Sequence, residues 1–316
     1  MNVIILSLFL VISIFSWGSI ENSHASSDSN EFVESSSSLT LSIPVNSHSA
    51  LVVIDMQNDC TQGLVPEGGK IIPVINKLAK KFKLAGAKIV ASKDWYPENH
   101  SCFAASHRQP DGKPYPDCMA RIRGNLRWKK HCVQETEGAR LHDELFRELA
   151  EEDARVFESR FKSKEEYRKY EQAIISHLDY VVHKSTDVDS GSPSIFRNKK
   201  GKPNAVLDRD TWQPTFVSIE SALEQDAITT LFLTGLALDH CVKKTAIHAL
   251  QLKKKGGKLP LFDKVYIVMN ATKAVDPSAI KKTLEELGNL AKTVGDVSRL
   301  DFINSRDIST SLGKQQ

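Results

Sequence analysis

Five apolar residues lead into an acid in the segment Ala50-Leu51-Val52-Val53-Ile54-Asp55. A run this short, rich in Val and Ile, is typical of a strand that is buried on both faces. Four later runs have the same character and are separated by longer amphipathic segments: Lys88 to Ala91, Tyr180 to Val182, Thr230 to Leu233 and Lys264 to Val268. Buried strands that alternate with helices predict an α/β fold of three layers, a Rossmann-type parallel sheet covered by helices on both faces.

The segments between these runs supply the predicted helices. Ile72 to Leu84 and Lys164 to His177 have amphipathic patterns, and a third helical pattern runs from Val242 to Leu252. Pro97 to Arg127, with several Pro and Gly, predicts a long loop, and Arg197 to Thr215 predicts an insertion between elements. The chain shows no internal repeat.

The composition is that of a globular protein with one substantial core, since 41% of the 316 residues are hydrophobic and 26% are charged. The formal net charge is only +3. The basic runs are short and scattered, which is typical of solvated helix ends and loops and argues against nucleic acid as a partner. These runs are Lys80-Lys81, Lys199-Lys200 and Lys253-Lys254-Lys255.

Residues 1–25 are predicted to be a signal peptide, because Val3 to Phe15 is almost entirely apolar and Ser23-His24-Ala25 provides a small-residue cleavage site. No basic residue precedes the apolar stretch, and an extension to Ile20 leaves an uncleaved membrane anchor as the alternative. Residues 26–41 predict a disordered Ser-rich leader, residues 42–305 the folded domain and residues 306–316 a disordered tail. We therefore expect a secreted protein without stable membrane association after cleavage.

Residues of reactive types follow four of the predicted strands. Asp55, Asp94 and Lys184 each close a strand, and Cys241 comes shortly after another. Ligands bind outside the carboxyl ends of the strands in open α/β sheets, so two acids, an amine and a thiol would meet in one crevice. Each residue alone has an ordinary explanation, such as a buried apolar cysteine, a helix cap or a surface lysine. Their coincidence indicates a catalytic site.

Cys241 lies between a turn that contains Gly235 and the helical pattern that begins at Val242. A thiol at a helix N-terminus feels the positive end of the helix dipole, and the ammonium of Lys184 would favour the thiolate further. We therefore expect Cys241 to be a nucleophile.

Five cysteines are an odd number, which leaves at least one thiol without a partner within a secreted chain. Cys241 is the candidate for that thiol. Sequence spacing leaves open whether the others form up to two bridges or stay free: Cys60, Cys102, Cys118 and Cys132.

Five segments carry a pattern that occurs, in the same order, in one family. They are Val53 to Asp59 (VIDMQND), Asp94 to His100 (DWYPENH), Trp128 to Val133 (WKKHCV), Lys184 to Asp187 with the following Asp189-Ser190, and Gly235 to Val242 (GLALDHCV). The chain resembles the isochorismatase-like cysteine hydrolases and, within them, the nicotinamidases. The resemblance covers about residues 49–275 and implies that the chain converts nicotinamide and water to nicotinate and ammonia through a covalent thioester.

The resemblance also implies roles for individual residues. Asp55 would take the thiol proton, Cys241 would attack the amide carbon, and Lys184 would orient the pair and supply positive charge. Backbone N–H groups around Ala237 and Cys241 would form the oxyanion hole, with a cis peptide at Leu236-Ala237.

A divalent metal ion, zinc or a similar ion, is implied as the group that holds the pyridine nitrogen. Asp94, His100 and His131 are ligands of suitable types. Tyr96 is a doubtful fourth ligand, because the family usually has histidine at this position and a neutral phenol is a poor ligand. His100 would compensate, as would His107, although a lone loop histidine is more often solvated.

Trp128 and Trp95 would serve as flat walls for a pyridine ring, with core packing as the alternative for Trp95. The expected partner is a small-molecule substrate, and a homo-oligomer is left open. One alternative function is hydrolysis of an N-carbamoyl or ureido compound on the same fold, whereas an isochorismatase would need no thiol. The other is a secreted, catalytically weak relative that binds a pyridine or a protein.

Overall fold

The computed structural model of the chain describes residues 42–149, 171–208, 210–211, 213–294 and 296–310. The predicted signal peptide, the predicted leader and residues 311–316 lie outside this description. Half of the predicted helix Lys164 to His177, residues 164–170, also lies outside it, and residues 171–176 are helical. No helix among the described residues is long and apolar enough to cross a membrane.

A sheet of eight strands forms the centre of the domain. The strands of the described residues are β1 (Ile43–Val45), β2 (Ser49–Ile54), β3 (Lys88–Asp94), β4 (Ala120–Ile122), β5 (Asn125–Arg127), β6 (Tyr180–Lys184), β7 (Ala205–Leu207), β8 (Pro214–Ser218), β9 (Thr230–Leu236), β10 (Lys264–Lys273), β11 (Leu300–Ile303) and β12 (Ile308–Thr310). Besides the helical residues 171–176, the α-helices of the described residues are α1 (Ile72–Leu84), α2 (Ile219–Gln225), α3 (Lys243–Gln251) and α4 (Ile280–Thr293). The sheet order is β11-β10-β9-β2-β3-β6-β7-β8, and neighbours from β11 to β6 are parallel.

β2 shows how the sequence creates two covered faces. Leu51 and Val53 point to the face where α1 packs, and Val52 and Ile54 point to the opposite face, where α2, α3 and α4 pack. These four side chains are at most 1% exposed, and burying each contributes about 1.5–3 kcal/mol. Helices therefore cover both faces of a mostly parallel sheet, and the predicted three-layer α/β class is confirmed.

α1 has the predicted bounds, and its ends follow from local sequence. Pro73 lies in the first turn, where a missing N–H costs no hydrogen bond. Lys81 and Lys83 lie in the last turn, where cations interact favourably with the helix dipole. Gly86 then adopts φ 68°, a left-handed conformation that terminates helices.

Both predicted long loops contain short strands, which corrects the sequence prediction. β4 and β5 form an antiparallel hairpin inside the first loop. In the second, β7 joins β6 in antiparallel orientation at the edge of the sheet, through Val182 and Val206, and β8 pairs with β7. Strands of three residues are too short for an alternating pattern to reveal.

The folded part of the chain extends past the predicted boundary at residue 305. β12 pairs in parallel with β1, with Ile43 opposite Ile308. Both side chains are buried. The folded domain thus extends through Thr310, and the predicted boundary at residue 305 is too early.

Candidate active site

Four adjacent strands bring the predicted reactive residues together. The sheet places β9, β2, β3 and β6 side by side. Four reactive residues lie at or just after the carboxyl ends of these strands, and we call them the Lys184 cluster: Cys241, Asp55, Asp94 and Lys184. The Nζ atom of Lys184 lies 2.8 Å from Asp55 Oδ2, 3.0 Å from Asp94 Oδ1 and 3.6 Å from Cys241 Sγ. Lys184 is fully buried. The predicted convergence of two acids, an amine and a thiol is present.

The backbone at these strand ends turns sharply and packs closely. Asp55 and Ser185 adopt φ of 51° and 59°, a left-handed conformation that is uncommon outside glycine. Gly235 has φ 98°, and a Cβ atom there would lie 2.1 Å from the carbonyl oxygen of Ile54. Glycine therefore lets β9 approach the backbone immediately before Asp55. The Leu236-Ala237 peptide is cis, as the resemblance implies.

A serine that the sequence did not single out holds Asp55. Ser92 Oγ donates a hydrogen bond of 2.8 Å to Asp55 Oδ1, while Lys184 contacts the other carboxylate oxygen. Both oxygens of the carboxylate thus have a partner, which fixes its orientation. A polar residue inside the otherwise buried β3 was the available signal, since buried hydroxyls need a partner.

Asp94 and Lys184 are held by a second set of hydrogen bonds. Ser185 Oγ donates to Asp94 Oδ1 at 3.0 Å and accepts from the N–H of Ser192 at 2.8 Å. The carbonyl oxygen of Ser192 accepts from Lys184 Nζ at 3.2 Å. The loop that follows β6 therefore closes over the ammonium and replaces its water shell.

Burial and mutual charge set the protonation states of the Lys184 cluster. Burial raises the pKa of Asp55 to about 6, with the Lys184 ammonium acting in the opposite direction. Burial alone would lower the pKa of Lys184, but Asp55 and Asp94 outweigh it and raise that pKa well above its usual value. Burial also raises the pKa of the Cys241 thiol well above its usual value, despite Lys184.

Cys241 therefore rests as a neutral thiol beside a carboxylate. Lys184 favours the thiolate, as the sequence predicted, but burial outweighs its effect. Desolvation of the sulfur and the two nearby carboxylates outweigh the single ammonium. A thiol in this setting reacts only after a base removes its proton, and Asp55 is the nearby group that is suited to accept it.

The Gln-Asn-Asp segment after Asp55 clamps the surrounding loops. Gln57 Oε1 accepts from the N–H of Asp94, and its Nε2 donates to the carbonyl oxygens of Asp94 and Ala139, all within 2.8 Å. Asp59 Oδ2 accepts from the N–H of Cys132 at 2.8 Å. A Cβ atom at Gly138 would lie 2.0 Å from the Asp59 carboxylate, so glycine is required for this approach.

The turn that carries the nucleophile is anchored from behind. Leu238–Val242 form one π-helical turn that leads into α3, and the carbonyl oxygen of Ala237 accepts from His240 and Val242. The Asp239 carboxylate accepts from two backbone N–H groups at the end of β10. Ala237 and Cys241 lie at the two ends of this turn, and their role as an oxyanion hole stays a prediction.

Three of the predicted metal ligands lie in a second group beside the first. Tyr96, His100, Phe103 and His131, here called the imidazole cluster, pack ring against ring. The Tyr96 ring centroid lies 4.7 Å from that of His100 and 5.1 Å from that of His131. His131 Nδ1 lies 2.7 Å from the carbonyl oxygen of Lys129, whereas His100 Nδ1 accepts from a backbone N–H at 3.0 Å.

Comparison with known proteins places this geometry in a family. Residues 49–176 match the isochorismatase domain. The nicotinamidase of Escherichia coli strain K12 is 33% identical over 211 residues, which cover 65% of this chain and 78% of that protein. The chain belongs to the isochorismatase-like hydrolase family. A second relative of this hydrolase, the nicotinamidase of Saccharomyces cerevisiae, is 27% identical over 252 residues, which cover 75% of this chain and 94% of the yeast protein.

A solved structure agrees with the fold of this isochorismatase-like hydrolase. The nicotinamidase and pyrazinamidase of Acinetobacter baumannii superimposes with a TM-score of 0.53 at 26% identity. The match covers 83% of this chain and 98% of that chain. The predicted family, fold and hydrolase class are thus confirmed.

The metal ion that the family resemblance implies was tested against the side chains that would hold it. Among the described residues, the ligand-type atoms of three side chains meet within 4.8 Å only at Asp55, Asp94 and Cys241. The Lys184 ammonium already contacts all three of these side chains. Asp94, His100 and His131 do not meet in the same way. The predicted ligand set therefore does not fit zinc, which needs at least three converging protein ligands.

The two remaining candidates for the metal site, His107 and Tyr96, are also unsuited to bind a metal ion. His107 Nε2 lies 2.7 Å from the carbonyl oxygen of Ser101, a contact that occupies its ring nitrogen. Burial raises the pKa of Tyr96 well above its usual value, and a hydrogen bond with Ser185 acts in the opposite direction. Tyr96 is thus a neutral phenol, which is a poor metal ligand.

The two predicted pocket tryptophans lie in different surroundings. The Trp128 ring contacts His131 and His240 at centroid distances of 5.9 and 5.0 Å, which places it between the imidazole cluster and the nucleophile turn. Trp95 instead stacks on His183 at 4.5 Å, with Lys93 Nζ 4.7 Å from its ring. Its contacts correspond to packing between β3 and β6, the alternative that the sequence left open.

All five cysteines lie among the described residues, and all are free thiols. The predicted alternative of up to two disulfide bridges is therefore absent from this part of the chain. Cys60 and Cys132 come closest, with their sulfur atoms 3.6 Å apart in a buried contact.

Proposed function

We propose that this hydrolase is a nicotinamidase, which converts nicotinamide and water to nicotinate and ammonia. One observation carries the proposal: a buried ammonium, Lys184, contacts the Cys241 sulfur and the carboxylates of Asp55 and Asp94. In this arrangement, Asp55 can move a proton between the thiol and a leaving amine. The curated relatives reported above are nicotinamidases, which supports nicotinamide as the substrate.

The first half of the reaction forms a thioester. Asp55 takes the proton of the Cys241 thiol as the sulfur attacks the carbonyl carbon of the amide. The resulting oxyanion is stabilised by backbone N–H groups of the turn from Ala237 to Cys241. When the C–N bond breaks, Asp55 returns the proton to nitrogen, and ammonia leaves.

The second half releases the acid. Asp55, again a carboxylate, takes a proton from water as the water oxygen attacks the thioester carbon. The C–S bond breaks and the proton returns to sulfur, which gives the Cys241 thiol and nicotinic acid. The acid then releases its remaining proton to water and leaves as nicotinate. A pKa of about 6 for Asp55 lets the same group act as base and acid near neutral pH.

Lys184 positions these groups and does not transfer the proton in this scheme. Its raised pKa keeps it charged throughout. The ammonium holds the Asp55 carboxylate towards the sulfur and stabilises the thiolate that forms during attack. When Asp55 is protonated, it no longer balances the charge of Lys184. Asp94 then remains as the opposite charge beside the buried ammonium.

No step is assigned to a metal ion, because the predicted ligand set is not assembled. A bound divalent ion would be held by Asp94 and His131, and its identity as zinc stays a prediction. Export of the chain and assembly into a homo-oligomer are likewise predictions. The mass of the mature protein would test cleavage of the signal peptide, and the mass of the particle in solution would test the homo-oligomer.

The decisive experiment measures ammonia release from nicotinamide by the protein from Ser26 onward. The proposal expects fast release by the natural sequence, with loss in Cys241→Ala and retention in Cys118→Ala, which removes an exposed thiol elsewhere. Release from an N-carbamoyl or ureido compound in place of nicotinamide would refute the substrate assignment and keep the hydrolase class.

A further inference from the structure

We propose that Tyr96 occupies the place of a metal ligand in this chain, so that a divalent ion finds only two protein ligands, Asp94 and His131, and is not retained. The activity of the metal-free protein rests on the proposed function, whereas its metal content can be measured independently of any activity.

The position of Tyr96 follows from strand geometry. Asp94 closes β3, and a side chain two residues later points to the same side of an extended chain. The Tyr96 backbone bridges in parallel to Val133, beside His131. The tyrosine ring lies between the imidazoles of His100 and His131, at 4.7 and 5.1 Å. An apolar ring therefore takes the space between two potential nitrogen ligands.

The hydrogen bond of His100 makes it unsuitable as a ligand. Its Nδ1 atom accepts from the N–H of Cys102 at 3.0 Å. The proton of the neutral ring must then be on Nε2, which leaves no lone pair for a metal ion. Binding through Nε2 would require the other tautomer, with two N–H groups facing each other at Cys102. His100 is also fully buried and cannot rotate freely to solvent.

His131 has the opposite arrangement. Its Nδ1 faces the carbonyl oxygen of Lys129 at 2.7 Å and must donate. Its Nε2 atom therefore keeps its lone pair, the arrangement that is usual for metal-binding histidine. The backbone around His131 is in turn fixed by the bond from Cys132 to Asp59.

Asp94 can offer one oxygen. Its Oδ1 atom already accepts from Lys184 and Ser185, both at 3.0 Å. Two ligands then remain for an ion that normally takes at least three from the protein in catalytic sites. Loss of even an outer-shell partner typically weakens metal binding by about 10–100-fold, so loss of a direct ligand is expected to weaken it by more than ~100-fold.

The test compares zinc content in the natural protein, Tyr96→His and Tyr96→Phe. Each is purified, incubated with excess zinc, dialysed against metal-free buffer and measured by mass spectrometry of the metal. We expect almost no zinc in the natural protein and in Tyr96→Phe, and about one ion per chain in Tyr96→His, which restores a third ligand. Tyr96→Phe keeps the ring and removes the hydroxyl, so it separates gain of a ligand from loss of the phenol.

Two outcomes would overturn the proposal. A natural protein that retains about one zinc ion per chain has a complete site despite Tyr96. A Tyr96→His variant that is folded, as judged by thermal unfolding, and still empty shows that Tyr96 is not what prevents binding. The first outcome needs no variant, so the proposal stays testable if Tyr96→His fails to fold.

A second test of the proposal measures enzyme activity with and without a chelator. Ammonia release from nicotinamide by the natural protein is expected to change less than about twofold when a chelator is added, because no ion is removed. Loss of release with the chelator and its recovery with zinc would contradict the proposal. Absence of release under every condition would refute the proposed function and leave the zinc measurement to decide the role of Tyr96.

Discussion

The Lys184 cluster and the imidazole cluster adjoin each other but are held in place by different means. Residues of the Lys184 cluster follow adjacent strands, and the sheet register carries Asp94 directly opposite Lys184. Residues of the imidazole cluster lie on loops, and hydrogen bonds to nearby backbone orient their rings. His100 bonds to Cys102 and His131 to Lys129. The two regions therefore differ in what determines their chemistry: sheet topology in one, local loop conformation in the other.

This difference explains why one set of predicted residues converged and the other did not. Side chains at the carboxyl ends of neighbouring parallel strands must meet at one edge of a sheet. A loop histidine can present either ring nitrogen, and one backbone N–H decides which. A tyrosine at position 96 therefore changes the imidazole cluster, whose residues lie on loops, and leaves the Lys184 cluster at the strand ends intact.

The largest expected effect is on the strand-borne cluster. Cys241→Ala removes the nucleophile, and kcat is expected to fall by at least ~10⁴-fold, since the remaining groups cannot form a thioester. Steady-state ammonia release measures it. Cys118→Ala, with the same loss of a thiol at the surface, should stay within about twofold of the natural protein. A Cys241→Ala variant with more than a tenth of the natural activity would remove Cys241 from the mechanism.

Lys184→Met tests whether the cluster is held together by its central charge. The variant leaves the Asp55 and Asp94 carboxylates buried without an opposite charge beside them, and the free energy of unfolding should fall by about 3–5 kcal/mol. Urea unfolding measures it. Lys88→Met is the matched control, because Lys88 pairs with Asp179 and Asp226 nearer the surface and should cost no more than about 1 kcal/mol.

Equal losses in the two lysine variants would mean that the buried ammonium contributes no more than a surface ion pair. The contrast between the clusters would then be geometric only. A rise in stability for Lys184→Met would show that the buried charges destabilise the fold and are kept for catalysis. Replacing buried ion pairs with apolar side chains stabilises some proteins in this way.

The fold and the reactive centre were predictable because they depend on periodicity and strand ends. The five buried runs became β2, β3, β6, β9 and β10, and α1 has the predicted bounds. The short strands β1, β4, β5, β7, β8, β11 and β12 escaped prediction, since three to five residues carry little pattern.

The supporting groups were harder to foresee. Ser92 and Ser185 hold Asp55 and Asp94, but a serine near a strand end has no pattern of its own. The resting state of Cys241 could not be predicted, because a sequence shows that an ammonium is near but not how completely the sulfur is buried. Desolvation depends on the whole fold, and it decides the direction of the pKa shift.

The two tryptophans provide a smaller test of the same contrast. Trp128→Leu, next to His131 and His240, should raise KM for nicotinamide by about tenfold, because a flat wall of the proposed pocket is lost. Trp95→Leu should change KM by less than about twofold and lower stability instead, since Trp95 packs on His183. Steady-state kinetics and thermal unfolding of both variants separate the two effects. A larger KM change in Trp95→Leu would reverse the assignment.

The smallest expected effect is a shift in pH dependence. Asp55 must be a carboxylate to take the thiol proton, so kcat/KM should fall about tenfold per pH unit below its pKa of about 6. The hydrogen bond from Ser92 lowers that pKa. Ser92→Ala removes the bond, so the pKa rises and the acidic limb moves to higher pH, by roughly half a unit. Ser176→Ala, on an exposed hydroxyl away from the site, should leave the limb in place.

The direction of this shift distinguishes two mechanisms. If a resting thiolate were the nucleophile, the acidic limb would follow the pKa of Cys241, and Ser92, whose hydroxyl bonds to Asp55, would have little influence on it. A limb that moves upward in Ser92→Ala therefore identifies the carboxylate as the titrating group. An unmoved limb would mean that Asp55 does not act as the base and that the strand-borne cluster activates its thiol through Lys184 alone.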